Sequence, residues 1–385
     1  AATATAQPAP HTLLWAVGDA QSPDVTVQNQ VADLIGSEPP ARLLMLGDLT
    51  DGGTAAEYTN LYGPSYGRFS PITSPTIGNH DWDRRAQGYD AYWGPGVQQP
   101  GGGHWYSFDL GGWHLISLSS MEDKQPGSAQ LTWLQQDLAA RSGSCTLAFT
   151  HYPRYSAGPQ FNTISLEPLW AALKSHAVLF LSGHAHNYQR LLPVRGITQF
   201  VVGTGGGTLG NTDDYDPRLA AKNDRVRGAL RIELGVGGAR LRFVDVNGTT
   251  LDESDVRCRP STPTPASVRT ARPLPAKRYP LLKQLYGRVD NAERIRLTLL
   301  RRVGSRCFAF DGGRFLVRSC TTRLSFPLDD EVTPPAFPGT GTSRWRWRVP
   351  GGASLPSGRY RLDVRVRAID DSVAVRSTRF VVGRR

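Results

Sequence analysis

Five short segments hold the side chains of this chain that could do chemistry together. They are VGDAQ, with Asp19 and Gln21; LGDLTDGG, with Asp48; IGNHDWD, with Asn79, His80 and Asp81; FTHYP, with His151; and SGHAH, with His184 and His186. Carboxylates, amide oxygens and up to four imidazoles form a donor set without thiolate, which suits ions such as Zn, Mn and Fe. The donors exceed what one tetrahedral ion uses and match two ions sharing a bridging carboxylate. Two ions about 3.5–4 Å apart acidify a shared water and polarise a substrate oxygen. His184 and His186 pose a local question. On a continuing strand, residues i and i+2 share a face and could serve one ion. If the strand ends at Gly183 and the chain curls away, each ring could serve a different ion.

Something must bring these segments together. Each stands at or near the end of a short apolar run, such as TLLWAV, RLLMLG, CTLAFT or AVLFLS. Ligands at strand ends of an α/β domain converge on one crevice. Helical patterns interleave at 24–36, 128–141 and 166–175, and Leu131, Leu134 and Leu138 fall on one helix face. Further apolar runs, WYSFDL, WHLISL, QFVVG, ALRIEL and RLRFVDV, read as strands and later hairpins. The pattern predicts a layered α/β domain with mixed sheets. GGGTLG at 205–210 satisfies G-x-G-x-x-G, but the turn-forming NTDDYDPR follows it. The phosphate-binding helix start is missing, so no dinucleotide is expected.

A chain of 385 residues is expected to hold two domains. Residues 259–280, RPSTPTPASVRTARPLPAKRYP, contain six prolines and read as an extended linker. Beyond it, RIRLTLL, RWRWRV and RYRLDVRVRA alternate strictly, which predicts a small β-sandwich over 281–385. The net charge of +11 is unevenly spread. Residues 1–259 hold 19 Lys and Arg against 24 Asp and Glu, whereas 281–385 hold 21 against 9. All eight histidines precede residue 187, so chemistry and basic charge belong to different domains. The arginine-rich face invites a polyanion or anionic envelope partner, and the simpler reading is a solvated strand face. Cys145, Cys258, Cys307 and Cys320 allow three disulfide connectivities. Cys307 and Cys320 bracket a hairpin-like stretch and could staple it, leaving Cys145 and Cys258 to pair; the alternative is four free thiols in a cytosolic chain. No segment approaches the roughly 18 apolar residues of a membrane-spanning helix. The opening AATATAQPAP, of low complexity and without Met, reads as a flexible, processed start of residues 1–10.

The five segments in this order, GD, GD, GNH[ED], H and GHxH, resemble the metallophosphoesterase (calcineurin-like phosphoesterase) superfamily. The resemblance spans residues 11–258 and extends to HWYSFDLGGWHLISLSS, AQLTWLQQDLA and FVVGTGGG, similar to secreted bacterial members related to the purple acid phosphatases. It implies a four-layer αββα sandwich of the α/β class, followed here by a second, smaller all-β domain of immunoglobulin or fibronectin type. It implies two metal ions, Fe, Mn or Zn. Asp48 would bridge them, Asp19 and His186 would complete one site, and Asn79, His151 and His184 the other. His80, oriented by Asp81, would face the substrate and protonate the leaving oxygen, a role imidazole suits near neutral pH. The implied reaction is hydrolysis of phosphate monoesters or diesters by hydroxide activated between the ions, in a secreted or periplasmic setting. Purple members carry tyrosine three residues after the second aspartate. Here Asp51 stands there, so no purple colour is expected. GDLTDGG is closer to the cyclic-nucleotide phosphodiesterase branch, which has histidine where Gln21 stands, and Gln21 is counted as a further ligand. A cyclic-nucleotide or phospholipid phosphodiesterase is one alternative. A catalytically weak protein that binds the envelope through its basic β-sandwich is another.

Overall fold

Apolar runs left uninterrupted by the sequence become strands buried on both faces. β1 (Thr12–Val17), β2 (Arg42–Leu46) and β3 (Thr73–Thr76) run parallel. The meander β11 (Gly228–Gly235), β12 (Gly238–Asp245) and β13 (Thr250–Arg257) extends them into a six-stranded sheet. A seven-stranded sheet has β5 (Trp113–Ser117), β6 (Cys145–Phe149), β7 (Ala177–Ser182) and β9 (Thr198–Val202) parallel at its centre. β4 (Tyr106–Leu110), β8 (Tyr188–Leu191) and β10 (Leu219–Asn223) complete it. The computed structural model describes residues 11–383, apart from 142, 144, 158–161, 214, 217, 259–266, 291, 322–323, 328–331, 334–341 and 369–372. The start expected to be flexible, residues 1–10, lies outside the described residues.

The two sheets pack face to face. Leu14, Leu44 and Leu46 of the first meet Leu115, Leu147 and Phe149 of the second in one buried cluster. Helices cover the outer faces. α1 (Val25–Ser37) is capped by Asp24, which accepts from Thr26 N–H, and buries Val31 and Ile35 beside Trp15 and Met45. Three short helices follow: α2 (Ala55–Glu57), α3 (Asn79–Trp82) and α4 (Tyr89–Trp93). α5 (Ala129–Ala140), capped by Ser128, turns Leu131, Leu134 and Leu138 onto the second sheet, as their spacing predicts. α6 (Glu167–Leu173) adds Leu169, Trp170 and Leu173. The result is the expected α/β, four-layer αββα sandwich, within a compact unit of residues 1–261.

His114 on β5 ties the second sheet to α5. Its Nδ1 lies 2.8 Å from Asp109 and its Nε2 2.7 Å from Asp137. Burial opposes charge on the ring, but the bonds to Asp137 and Asp109 hold its pKa above the ordinary 6.5. A raised folded pKa gives stability that is complete below 6.5 and lost as pH rises through the folded value. Melting temperatures of wild type and His114→Gln should therefore differ most at low pH and converge as the ring deprotonates. A gap that widens with pH would contradict this pairing.

The second unit, residues 262–385, is all-β. β14 (Ser267–Arg272), β16 (Gln284–Asp290), β22 (Thr342–Arg348) and β21 (Val332–Thr333) form one sheet in that order. The other contains β15 (Arg278–Tyr279), β24 (Val373–Val382), β23 (Gly358–Ala368), β17 (Ala292–Val303), β18 (Arg306–Phe310) and β19 (Phe315–Arg318), with β20 (Phe326–Pro327) beside β17. Leu285, Trp345 and Trp347 of the first meet Leu297, Leu362 and Val364 of the second in the core. The period of two thus separates buried apolar residues from exposed arginines, as in Tyr360 and Leu362 against Arg359 and Arg365. One expectation needs correcting. The stretch read as linker over 259–280 is in part sheet, because β14 pairs with β16 and β15 with β24. Its prolines flank a proline-free SVRTAR, and that segment pairs on one side only, as a sheet edge. Cys145 pairs with Cys258, and Cys307 with Cys320 across the β18–β19 hairpin.

Candidate metal centre

The five segments sit at the carboxyl ends of β1, β2, β3, β6 and β7. Sharp backbone turns aim them. Asp19, Asp48 and His184 have φ of 57°, 52° and 68°, in the left-handed region that costs a non-glycine residue free energy and concentrates at functional sites. The turn at His184 answers the question of the paired histidines. β7 ends at Ser182, and Ala185 N–H bonds to Gly183 O at 2.9 Å, so the strand does not continue. Two glycines make room for the carboxylates. A Cβ on Gly78 would lie 2.1 Å from Asp48 Oδ1, and one on Gly183 would lie 2.5 Å from Asp19 Oδ2.

The donors fall into two neighbouring sets. Ligand atoms of Asp48, His151 and His184 lie within 4.8 Å of one another. Asn79 joins them, its Oδ1 3.0 Å from His151 Nε2, which is also 3.1 Å from Asp48 Oδ2. In the second set His186 Nε2 lies 3.3 Å from Asp19 Oδ1 and 3.4 Å from Gln21 Nε2. Main-chain bonds link the sets: His184 N–H donates to Asp19 Oδ2 at 2.7 Å, and Gln21 N–H to Asp48 O at 3.2 Å. Backbone carbonyls fix the tautomers. His151 Nδ1 lies 2.9 Å from Leu46 O and His186 Nδ1 2.8 Å from Thr208 O. Donation there leaves each Nε2 lone pair for the centre, the usual arrangement around metal-bound imidazole. The glycine loop after β9 braces the same residues, with Gly207 N–H on Asp19 O and Gly210 N–H on His186 O.

The residues fit cations. Asp19 Oδ1 and Gln21 Oε1 are buried and accept no hydrogen bond among the described residues, a state that costs free energy unless something else binds there. Charges point the same way. Burial works against a charged His151, yet Asp48 pushes its pKa up to about 9. The Asp19 carboxylate, its Oδ1 3.3 Å from the ring and outside hydrogen-bond geometry, pushes His186 up to about 9 as well. Burial and then the His151 charge press His184 down to about 4, leaving it neutral. Burial raises Asp48, but His151 outweighs it and holds the carboxyl below its ordinary value. Protons thus occupy positions that a cation would take.

His80 stands apart from both sets, and its orientation differs from expectation. Its main-chain N–H donates to Asp48 Oδ1 at 2.9 Å, and its ring Nδ1 lies 2.7 Å from Asp51 O and 3.3 Å from Asp51 Oδ1. Asp81, expected to orient the ring, instead accepts from Leu49 N–H, Gly78 N–H and Tyr58 O–H. Neighbours i and i+1 on a helical turn point apart. Burial, then the Asp48 charge, raises the Asp81 pKa to about 6. Tyr152, which in THYP stands where a polar neighbour is more usual, has its ring centroid 4.2 Å from that of His184.

The sequence profile of the calcineurin-like phosphoesterase family matches residues 13–188. A probable purple acid phosphatase of Arabidopsis thaliana is 28% identical over 195 residues, covering 42% of this chain and 46% of the relative. A probable cyclic nucleotide phosphodiesterase of Synechococcus sp. is 31% identical over 178 residues, covering 42% of this chain and 63% of the relative. The chain thus spans about half the length of the first of these curated relatives and somewhat more of the second. Among solved structures, purple acid phosphatase from yellow lupin seeds superposes with a TM-score of 0.54 at 17% identity, covering 64% of this chain and 54% of that one. GAP50 of Plasmodium superposes with a TM-score of 0.53 at 16% identity, covering 65% and 89%. These two show the fold alone. The matched span holds every one of the five donor-bearing segments, and it is to the calcineurin-like phosphoesterase family that this part of the chain is similar.

Proposed function

We propose that the chain hydrolyses phosphate esters with two metal ions held by Asp19, Gln21, Asp48, Asn79, His151, His184 and His186. The observation that carries this reading is the meeting of these donors at five strand ends, with Asp19 Oδ1 and Gln21 Oε1 buried and accepting no hydrogen bond among the described residues. On this reading Asp48 would serve both ions, Asp19, Gln21 and His186 would hold one, and Asn79, His151 and His184 would hold the other. Two ions there supply a more acidic water and neutralise charge on the phosphoryl oxygens. His80 gives its proton to the leaving oxygen, with Asp51 keeping the ring turned outward. The Gln21 amide turned over would present its oxygen in place of its nitrogen.

A diester preference, as in a cyclic-nucleotide or phospholipid phosphodiesterase, has support from Asp51 beside His80 and from the Synechococcus relative. Two disulfides support a secreted or periplasmic setting, and the basic second unit is read as its contact with an anionic envelope polymer or surface. The test is turnover of p-nitrophenyl phosphate and of its bis-ester, with metal content measured beside it. Chelator-treated protein should be inactive and regain turnover with Mn, Zn or Fe at about two ions per chain. Undiminished turnover after complete metal removal overturns the proposal. No turnover of either ester with any ion leaves only the binding reading.

A further inference from the structure

The four-stranded sheet of the second unit carries an arrangement with a cost and, among the described residues, no carboxylate partner; the one ring contact is Arg272 over Tyr279 at its edge. Its register sets Arg269 opposite Arg288 and Arg288 opposite Arg344, and all three are exposed. Directly opposed residues leave a sheet on the same face, with strands about 4.8 Å apart. Three guanidinium groups therefore form one line across three strands. In the next row Arg272 faces Tyr286, which faces Arg346, and in the third Gln284 faces Arg348. The register of β14 shifts between Thr270 and Arg272. Without that bulge Ala271 would oppose Tyr286 and Arg272 would turn to the other face; the bulge re-aims it into the arginine rows.

Like charges placed opposite each other destabilise a sheet. The need for alternation explains the buried Trp345 and Trp347 beneath, but not arginine above. The first unit treats surface arginines differently: exposed Arg240 and half-buried Arg242 on β12 both pair with Glu253 on β13. None of the six arginines in these rows pairs with a carboxylate among the described residues. At one end of the face Arg272, Lys283 and Arg348 ring a cavity of about 470 Å³ walled by Leu281, Leu282 and Val349. Leu281 is 63% exposed.

We propose that this face docks on an anionic phospholipid membrane. The arginine rows lie along the headgroup layer, the cavity takes a headgroup phosphate between Arg272, Lys283 and Arg348, and Leu281 enters the boundary of the acyl chains. Arginine is the residue suited to phosphate, through its planar fork of donors. Basic clusters bind anionic leaflets additively, and apolar side chains beside them add buried area. A water-soluble polyanion would be held by charge alone and would have no use for the apolar wall. A single-stranded nucleic acid would want several exposed aromatic platforms, whereas Trp345 and Trp347 are 1% and 8% exposed and Tyr286 within the rows is half-buried. The inference narrows the envelope reading above and does not rest on the phosphoesterase reading, so either can fail alone.

The test is co-sedimentation of the full chain with vesicles of phosphatidylglycerol and phosphatidylcholine, against phosphatidylcholine alone and against duplex DNA. Binding to the anionic vesicles only, fading as salt rises, is expected. The triple variant Arg288→Gln/Arg344→Gln/Arg346→Gln should weaken it at least about tenfold. Its melting temperature should stay level or rise, because repulsion is relieved; a merely structural face would melt lower. Leu281→Gln should weaken vesicle binding and leave any DNA binding unchanged. Absence of anionic-vesicle binding overturns the proposal. So does DNA binding of equal strength together with no effect of Leu281→Gln, which would mark a general polyanion face.

Discussion

Asp48→Ala should leave a folded protein without metal and without turnover. The carboxylate is 1% exposed at a backbone turn of φ 52°. Its two oxygens face His80 N–H at 2.9 Å and His151 Nε2 at 3.1 Å, so it touches both the ligand set and the segment carrying His80. On the proposed reading, removing it takes away the donor shared by both ions, and the charge that holds the His151 pKa up is lost with it. The expected loss in kcat/KM is at least about 10³-fold, or about 4 kcal/mol of transition-state stabilisation. Elemental analysis should show both ions depleted while circular dichroism stays that of the wild type. Gly78→Ala supplies an independent arm. Its new Cβ would lie 2.1 Å from Asp48 Oδ1, so the carboxylate must move, and metal affinity should fall about 10- to 100-fold as for lost ligand support. If Asp48→Ala keeps its metal and its rate, the donor set is assembled around something other than cations.

The ligand segments were legible because their chemistry restricts residue type. Carboxylate, amide and imidazole after apolar runs have few other uses in combination, and parallel strands must deliver their ends to one edge. The sheets followed from uninterrupted runs such as AVLFLS, and the helix of Leu131, Leu134 and Leu138 from its period. What could not be read was set by backbone direction. Asp81 follows His80 directly and so looked like its partner, but the helical turn carries it the other way, onto Gly78 N–H. The spacing itself held that signal: an acid at the third residue of a helix can bond back to the cap. Asp51 comes from another strand end, and only the turn after Asp48 lays it against the His80 ring. The strand at 267–272 was hidden by the prolines around it. The arginine rows needed register, because a one-residue bulge decides the face on which Arg272 stands.

His80→Ala should separate catalysis from metal binding. The contact that His80 makes with Asp48 runs through its main-chain N–H, which alanine keeps. Metal content should therefore match the wild type while kcat falls about 10²- to 10⁴-fold, the range for a lost general acid. The loss should be larger with phenyl phosphate than with p-nitrophenyl phosphate, whose leaving group needs little help from a proton. Asp51→Asn should cost little. The bond from His80 Nδ1 to Asp51 O at 2.7 Å remains, and the carboxylate at 3.3 Å is 68% exposed. Exposed pairs of this kind contribute about 0–1 kcal/mol, so kcat should fall no more than about fivefold. Asp81→Asn should act on stability instead. Asp81 is fully buried and accepts from Leu49 N–H, Gly78 N–H and Tyr58 O–H, and an amide cannot accept from all three through both its ends. About 1–3 kcal/mol of unfolding free energy should be lost with it. The opposite pattern, a rate that collapses in Asp81→Asn with melting unchanged and stands unaltered in Asp51→Asn, would return the orienting role to Asp81.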